Sequence, residues 1–393
     1  MKQNARARVA GVSARVTEAF TDLPALQGQW EVLFQSRPNE PSTSFEWTSA
    51  MVRHHVRSGD RCFLLRVDRE GTLAGLVPLV LRRFKVMGQQ IALLTPLSED
   101  YNTHSDLLLA STDEAVVEAV VSSLFTLTAR WDCFRMARLL DANPLLPVLR
   151  KALMARHCSH SVREGLAAYV LDLPSCYDAY LAARSQKFRN HLKRAERKLS
   201  ANGTVKFHEL SHYQDFDAAF GALLQIEQGS WKQSFGSSIT AVARQSGFYR
   251  DFASAAFGRG ALHLQWLTIN AKPVAYNLGY MTQGGYHYLK TSYDHAYRPV
   301  SPATVLRARL VEGLIERGVD RLDFPGEPYE WESQWTDTVR RRTVLSVYPP
   351  TVRGRLLALI DRVRHRPSAN RGVTHVDPRS GRAQPYQAMF AAG

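Results

Sequence analysis

The segment YRPVSPATVLRARLVEGLIERG, from Tyr297 to Gly318, carries the residue types of an anion site. Ser301 suits a helix N-cap, and Pro302 suits the first helical position, where a missing N–H costs nothing. Leu306, Leu310 and Leu314, with Val311 and Ile315, lay out one apolar face, and Gly318 is a natural stop. GGYHYLKTSYD before this helix and VDRLDFPG after it read as strands. A strand, a short loop and a helix with free leading N–H groups offer donors and a dipole to an anion. An ordinary capped core helix has the same pattern, so the residues alone leave both readings open.

A second charged feature lies in YDAYLAARSQKFRNHLKRAERKLSANG. Phe188, Leu192, Ala195 and Leu199 form an apolar stripe at helical spacing, and Lys187, His191, Arg194 and Lys198 form another face. Arg184, Arg189, Lys193 and Arg197 surround them, and Asn202-Gly203 ends the helix. So many like charges on one helix repel unless an anion lies near, so the face is either solvated or a binding surface. Other chemistries find little support. There is no GxSxG elbow, no P-loop and no GxGxxG. His208 and His212 stand four apart without an HExxH pattern, so no metal is expected.

The chain has 393 residues, enough for more than one core, and 50 Lys+Arg against 36 Asp+Glu give a net charge of +14. That charge favours an anionic partner: a phosphorylated cofactor, RNA, an acidic glycan or a membrane surface. No apolar run reaches the roughly 18 residues of a membrane span, and MKQNARARVAGVSARVTEAF lacks the apolar core of a signal peptide. Cys62, Cys133, Cys158 and Cys176 are widely spaced and form no CxxC pair, which fits buried thiols in a reducing compartment. The expected location is cytoplasmic, with a peripheral membrane contact open.

Residues 1–18 read as a loose basic arm. RCFLLRVDREGTLAGLVPLVLRR reads as two strands around an Arg69-Glu70-Gly71 turn, and LAAYVLDL as the strand closing a first unit over 19–172. Over 173–350, ALHLQWLTINAKPVAYNLGYMTQGGYHYLKTSYD gives three antiparallel strands, with turns at Asn270-Ala271-Lys272 and Gln283-Gly284-Gly285. FLLRVDREGTLAGLVPLVL and LQWLTINAKPVAYNLGYM share one plan about 200 residues apart, so two copies of one α/β unit are expected. Over 351–393, VRGRLLALIDRVRHR puts Leu356, Leu359, Ile360 and Val363 on one face. That pattern suits a helix packed on the domain or lying on a membrane. From Pro367 the tail is turn-rich and polar, as flexible segments are.

Taken in order, SFEW, GTLAGLVPLV, RSQKFRNHLKRAERKLSANGTVKF, IEQGSWKQSFGSSI, AKPVAYNLGY, TSYDHAYRPVSPATVL and LDFPGEPYEWESQW resemble one family. From about Trp30 to about Tyr348 the chain is similar to the GNAT-type acyltransferases of the CelD/BcsL group, double-domain relatives of the Fem peptidyltransferases. The resemblance implies two tandem GNAT-like units, each a mostly antiparallel mixed sheet flanked by helices. It implies an acyl-CoA donor and an amine-bearing acceptor, with pantetheine slotted between two splayed strands. Ser301, Pro302, Ala303 and Thr304 would then begin the pyrophosphate helix, with Arg298 and Arg307 adding charge. The chain departs from the family at Ala303, where Gly is common, and at Tyr329-Glu330, where a Tyr-Lys pair is common. The second departure removes one phosphate or carboxylate contact.

Acyl transfer to an amine needs a base, an oxyanion donor and an acid for the leaving thiolate. Glu227, in IEQGSWK, matches a family acidic-then-Trp element and is the first candidate base; partial burial at a pocket rim would raise its pKa. Asp294 is the second, at the end of the strand before the cofactor helix, and Tyr293 is the candidate acid or oxyanion donor. Trp231, Lys232, Tyr329, Trp331 and Trp335 would bind the acceptor. A Fem-like transferase using aminoacyl-tRNA is the alternative, because the basic helix suits a tRNA stem. A non-catalytic scaffold in polysaccharide assembly is the third reading.

Overall fold

The computed structural model describes residues 5–364 except 10, 19, 21–22, 38, 87, 98–103, 128–129, 325 and 327. The chain divides into two compact units: residues up to Ala167 join a segment starting at Arg340, and Ala168–Val339 form the second.

The first unit has strands β1 (Ala5–Val9), β2 (Val12–Glu18), β3 (Arg61–Arg69), β4 (Thr72–Val86), β5 (Gln89–Pro96), β6 (Leu108–Leu109), β7 (Cys133–Leu140) and β8 (Ser159–Glu164). Its helices are α1 (Gln27–Gln35), α2 (Phe45–His55), α3 (Glu114–Phe125) and α4 (Leu145–Ala155). The sheet runs β1-β2-β3-β4-β5-β7, then a strand from the far end of the chain, then β8, with β6 on β4. Ser44 and Asp113 cap α2 and α3 by accepting from the N–H groups of Trp47 and Val116. The core forms where Val116, Val117, Val120 and Leu124 of α3 meet Val67, Leu79 and Leu94 of the sheet.

The second unit contains β9 (Ala168–Asp172), α5 (Tyr177–Ala183), α6 (Gln186–Ser200), β10 (Val205–Glu209), α7 (Phe216–Gln228), α8 (Trp231–Ser234) and α9 (Ala243–Gly258). There follow β11 (Leu262–Ile269), β12 (Lys272–Thr282), β13 (Gly285–Tyr293), α10 (Pro302–Glu316), β14 (Arg321–Asp323) and β15 (Val339–Arg340). Strand order is β10-β11-β12-β13-β14-β9-β15, antiparallel from β10 to β13, with β13 and β14 parallel. The chain then returns to the first sheet as β16 (Arg342–Tyr348), between β7 and β8, and ends its described part with α11 (Val352–Arg364). Each unit is a mostly antiparallel mixed sheet flanked by helices, as the sequence implies.

The shared plan of the two halves extends to a defect. β3–β4 and β11–β12 both close on two-residue turns with positive φ, Glu70-Gly71 and Asn270-Ala271. Both hairpins carry a register shift at the same distance from the turn, at Val67/Asp68 and at Leu267/Thr268.

Four expectations change. Residues 5–9 and 12–18 are paired strands, not a loose arm, because Val12, Ala14 and Val16 alternate into the core. LAAYVLDL supplies β9, which pairs with β14 in the second sheet instead of closing the first unit. Cys176 is exposed, while Cys62, Cys133 and Cys158 are buried. α11 packs on its unit, as one reading expected, but by another face: Leu357 and Ala358 make the contact, Asp361 is ion-paired to Arg163, and Leu356, Leu359, Ile360 and Val363 point outward. The expectation for the tail beyond Arg364 lies outside the described residues.

Candidate functional site

The pairing of β13 with β14, which ends at Asp323, is short. Only Tyr286↔Leu322 and His287↔Asp323 are paired, and β13 then runs on to Tyr293 bonded to β12 alone among the described residues. Helix α10 packs on the same strand. Apolar packing fixes that helix: Leu310, Val311 and Leu314 lie against Tyr286, Tyr288 and Leu322, and against Phe188 and Leu192 of α6. All of Phe188, Leu192, Ala195 and Leu199 are buried, as their spacing requires, and Ser185 caps α6 through the Phe188 N–H.

The front of α10 differs from a simple Ser-Pro cap. Ser301 occupies the N-cap position in left-handed conformation, φ 52° and ψ 51°, with no side-chain cap bond. Its carbonyl accepts from the N–H groups of Thr304 and Val305 at 3.1 and 3.4 Å. With Pro302 already lacking an N–H, engagement of the Thr304 N–H leaves the cradle fewer free donors than the sequence suggested. A 3-10 turn, His295–Val300, precedes it. Arg298 lies exposed on this turn, and Lys198 of α6 donates to the Pro299 carbonyl at 3.3 Å.

On the sheet face covered by α7, Glu227 is fully buried. Its Oε1 accepts from the Tyr276 hydroxyl at 2.6 Å and its Oε2 from the Ile239 N–H at 2.9 Å. Lys232 Nζ lies 3.7 Å from Oε1 and donates to the Thr291 carbonyl at 2.5 Å. Burial pushes the carboxyl up, but Lys232 and Lys290, with the two hydrogen bonds, outweigh it and hold Glu227 below the ordinary carboxylate range. The expectation of a rim carboxylate with a raised pKa is therefore corrected. Lys290, on β13, has its Nζ 5.5 Å from the centre of the Tyr249 ring. Burial and the Lys232 charge pull it down to about 8, against a pull upward from Glu227.

The opposite face, under α10, holds a different cluster. Asn277 Oδ1 accepts from the Tyr288 hydroxyl and, at 3.3 Å, from Thr291; its Nδ2 donates to the Leu306 carbonyl at 3.3 Å. Arg307 is buried, its guanidinium 3.8 Å from the Trp331 ring centre, 5.2 Å from that of Trp335 and 5.8 Å from that of Tyr288. It is held in an aromatic cage, not offered to a phosphate at the helix front.

The structure thus sorts the candidates. It brings Glu227 and Lys232 together and adds Lys290 and Tyr276, which the sequence reading missed. Their signal was a lysine inside the strand YHYLKTSY and a Tyr-Asn pair inside the strand PVAYNLGY. Tyr293 is not with Glu227: it packs beside Val305 and Leu306, on the α10 face. Asp294 caps the 3-10 turn through the Ala296 N–H at 3.0 Å and pairs with Lys272 at 2.8 Å, so its carboxylate is occupied as a turn residue. Trp335 is core, edge-on to Phe188 at 5.1 Å. Trp231, on α8, lies edge-on to Phe235, whereas Trp331 and Trp335 share the Arg307 cage. Tyr329 donates its N–H to Glu332 at 3.2 Å. His208 bonds Thr268 at 3.0 Å, and no cluster of metal-ligating side chains occurs among the described residues.

Residues 186–333 match the family model described as Acetyltransferase (GNAT) domain. In structure the chain is similar to FemX, at 10% identity and a TM-score of 0.58, over 88% of this chain and 100% of that one. It is similar to a conserved protein of unknown function from Bacteroides thetaiotaomicron VPI-5482, at 10% identity and a TM-score of 0.52, over 85% and 99%. A tandem GNAT protein from the clavulanic acid biosynthesis pathway aligns at 12% identity and a TM-score of 0.43, over 86% and 99%. No curated protein matches in sequence. The first two likenesses carry the fold across most of the chain. The matched span lies inside the second unit and contains Glu227, Lys290 and α10, so that unit is a GNAT acyltransferase domain.

Proposed function

We propose that this domain moves an acyl group from acyl-CoA to an amine, in a protein of the CelD/BcsL type that serves polysaccharide, cell-envelope or secondary-metabolite biosynthesis. The observation that carries the reading is the short pairing of β13 with β14, beyond which the β13 edge would take an extended pantetheine arm, with α10 packed on the same strand. Ser301 to Thr304 take the pyrophosphate with the help of the helix dipole, Arg298 and Lys198. Calorimetry with acetyl-CoA and longer acyl-CoAs tests this. Thr304→Asp, which sets a negative charge beside the pyrophosphate, should weaken binding about tenfold. Failure of the wild type to bind any acyl-CoA overturns the reading.

A Fem-like transfer from aminoacyl-tRNA draws support from α6. Lys187, Lys193, Arg194, Arg197 and Lys198 are all exposed, and Lys198 reaches the turn before α10. If RNA is the donor, gel shifts should weaken steeply with salt, and charge reversal at Lys187, Arg194 and Lys198 should abolish them. No shift at low salt removes this reading; loss of both donors leaves the scaffold role.

A further inference from the structure

We propose that Lys290 is the catalytic base that takes the proton from the acceptor's ammonium group, with Lys232 and Glu227 as the residues that position and tune it. The assignment rests on the acyl-transfer reading above. Three observations lead to it.

The first is place. Lys290 lies on β13 beyond His287, the last residue paired with β14, on the stretch proposed above to take the donor. The second is direction. In a regular strand Tyr288 and Lys290 would share a face. The register against β12 passes from Gly279↔Tyr288 to Leu278↔Lys290, which leaves Leu289 as an extra residue. This bulge keeps Tyr288 under α10, beside Arg307, and turns Lys290 toward α7 and α9, beside Glu227 and Tyr249.

The third is the inventory of partners. The charged and titratable groups facing Lys290 are Glu227 from α7, Lys232 from α8, Tyr249 from α9 and Tyr276 from β12. Both Glu227 oxygens already accept, one from Tyr276 and one from Ile239, and Lys232 stands beside the first. Two ammonium groups thus share one fully engaged carboxylate, and Lys290 is the one that makes no described hydrogen bond. The residue as a whole is half-buried, while its ammonium group lies in the desolvated surroundings that lower its pKa. Its pKa of about 8 leaves roughly a tenth to a fifth of it neutral near physiological pH, far more than an ordinary lysine, whereas Glu227, held below the carboxylate range, is a weak base.

In the step, the acceptor R–NH₃⁺ passes one proton to neutral Lys290 Nζ. The freed nitrogen lone pair attacks the thioester carbonyl carbon and a C–N bond forms. The tetrahedral intermediate then expels the thiolate by breaking C–S. The thiolate takes the second proton released from nitrogen, and Lys290 returns the first to solvent.

The test is a lysine titration. Wild-type protein is pulse-labelled with an amine-reactive reagent between pH 6 and 11, and labelled peptides are weighed by mass spectrometry. Lys290 should label with a midpoint near 8, well below the reference lysine value of about 10.4. Lys232→Met should raise the Lys290 midpoint, and Glu227→Gln should lower it. A Lys290 midpoint at the reference lysine value of about 10.4 overturns the proposal. Lys290→Arg keeps the charge and cannot lose its proton, so acyl-CoA binding should persist. Thiol release from acetyl-CoA with amino sugars and amino acids as acceptors should fall about 10²–10⁴-fold. Wild type that binds no acyl-CoA defeats the acyl-transfer reading. Wild type that binds and transfers, with Lys290→Arg within tenfold of it, defeats only the base assignment.

Discussion

Glu227 faces four groups at once, two hydrogen-bond donors and two ammonium groups, and that sets what its loss should do. Replacement by Gln keeps the acceptor for Tyr276 but turns an NH₂ toward the Ile239 N–H and removes the counter-charge of Lys232 and Lys290. Glu227→Gln should cost about 1–3 kcal/mol in urea unfolding, the range for a buried polar group left without its partner. The folded carboxyl titrates below the ordinary value, so its stabilising effect is complete above about pH 4.3 and is lost as pH falls through the lower folded value. The gap between wild type and Glu227→Gln should therefore be constant from pH 5 to 7 and close below pH 4. The sequence marked Glu227 through its neighbours Trp231 and Lys232, and Leu223 one turn earlier shows its side of the helix. It could not show that this side faces the sheet, where a carboxylate stays charged only among cations. Lys290 was less legible still, because strand alternation assigns it to the wrong face unless the bulge at Leu289 is known.

The hairpins were the most readable elements. REGT and NAKP announce short turns, and both close where expected. Their conformations add something composition does not. Ala271 sits at φ 65°, a left-handed position that costs an L-residue about 1 kcal/mol and glycine almost nothing. Ala271→Gly should raise the unfolding midpoint, by about 0.5–1 kcal/mol in free energy, with acyl-CoA binding unchanged; calorimetric melting reads both. Gly71, at φ 84° in the matching turn of the first unit, already has that residue. The front of α10 shows the converse limit. Ser301-Pro302 reads as a capped start, yet the tight 3-10 turn before it forces Ser301 into the left-handed region and pulls its hydroxyl away from the cap. Backbone strain between adjacent elements leaves no mark in residue spacing.

The repeat of one unit was visible along the whole chain, but its boundaries were not. β9 and β16 are short apolar strands that suit either sheet, and only pairing decides that β9 joins the second and β16 the first. The first sheet therefore depends on residues from both ends of the described chain. A chain stopped at Arg340 lacks the strand that β7 and β8 both bond, along with buried Leu345 and Val347. It should lose the cooperative unfolding of the first unit in circular dichroism melts, where the full chain keeps it.

The same threading sets an order of events on the ribosome. When β8 emerges, the slot beside it and β7 is empty, and it stays empty until all of Ala168–Val339 has been made. At 5–20 residues per second that wait lasts roughly ten to thirty seconds. The second unit, continuous in the chain, can finish folding first. The earlier-born half must carry an open pair of strand edges through that interval, the kind of surface that chaperones cover and that joins nascent chains to one another.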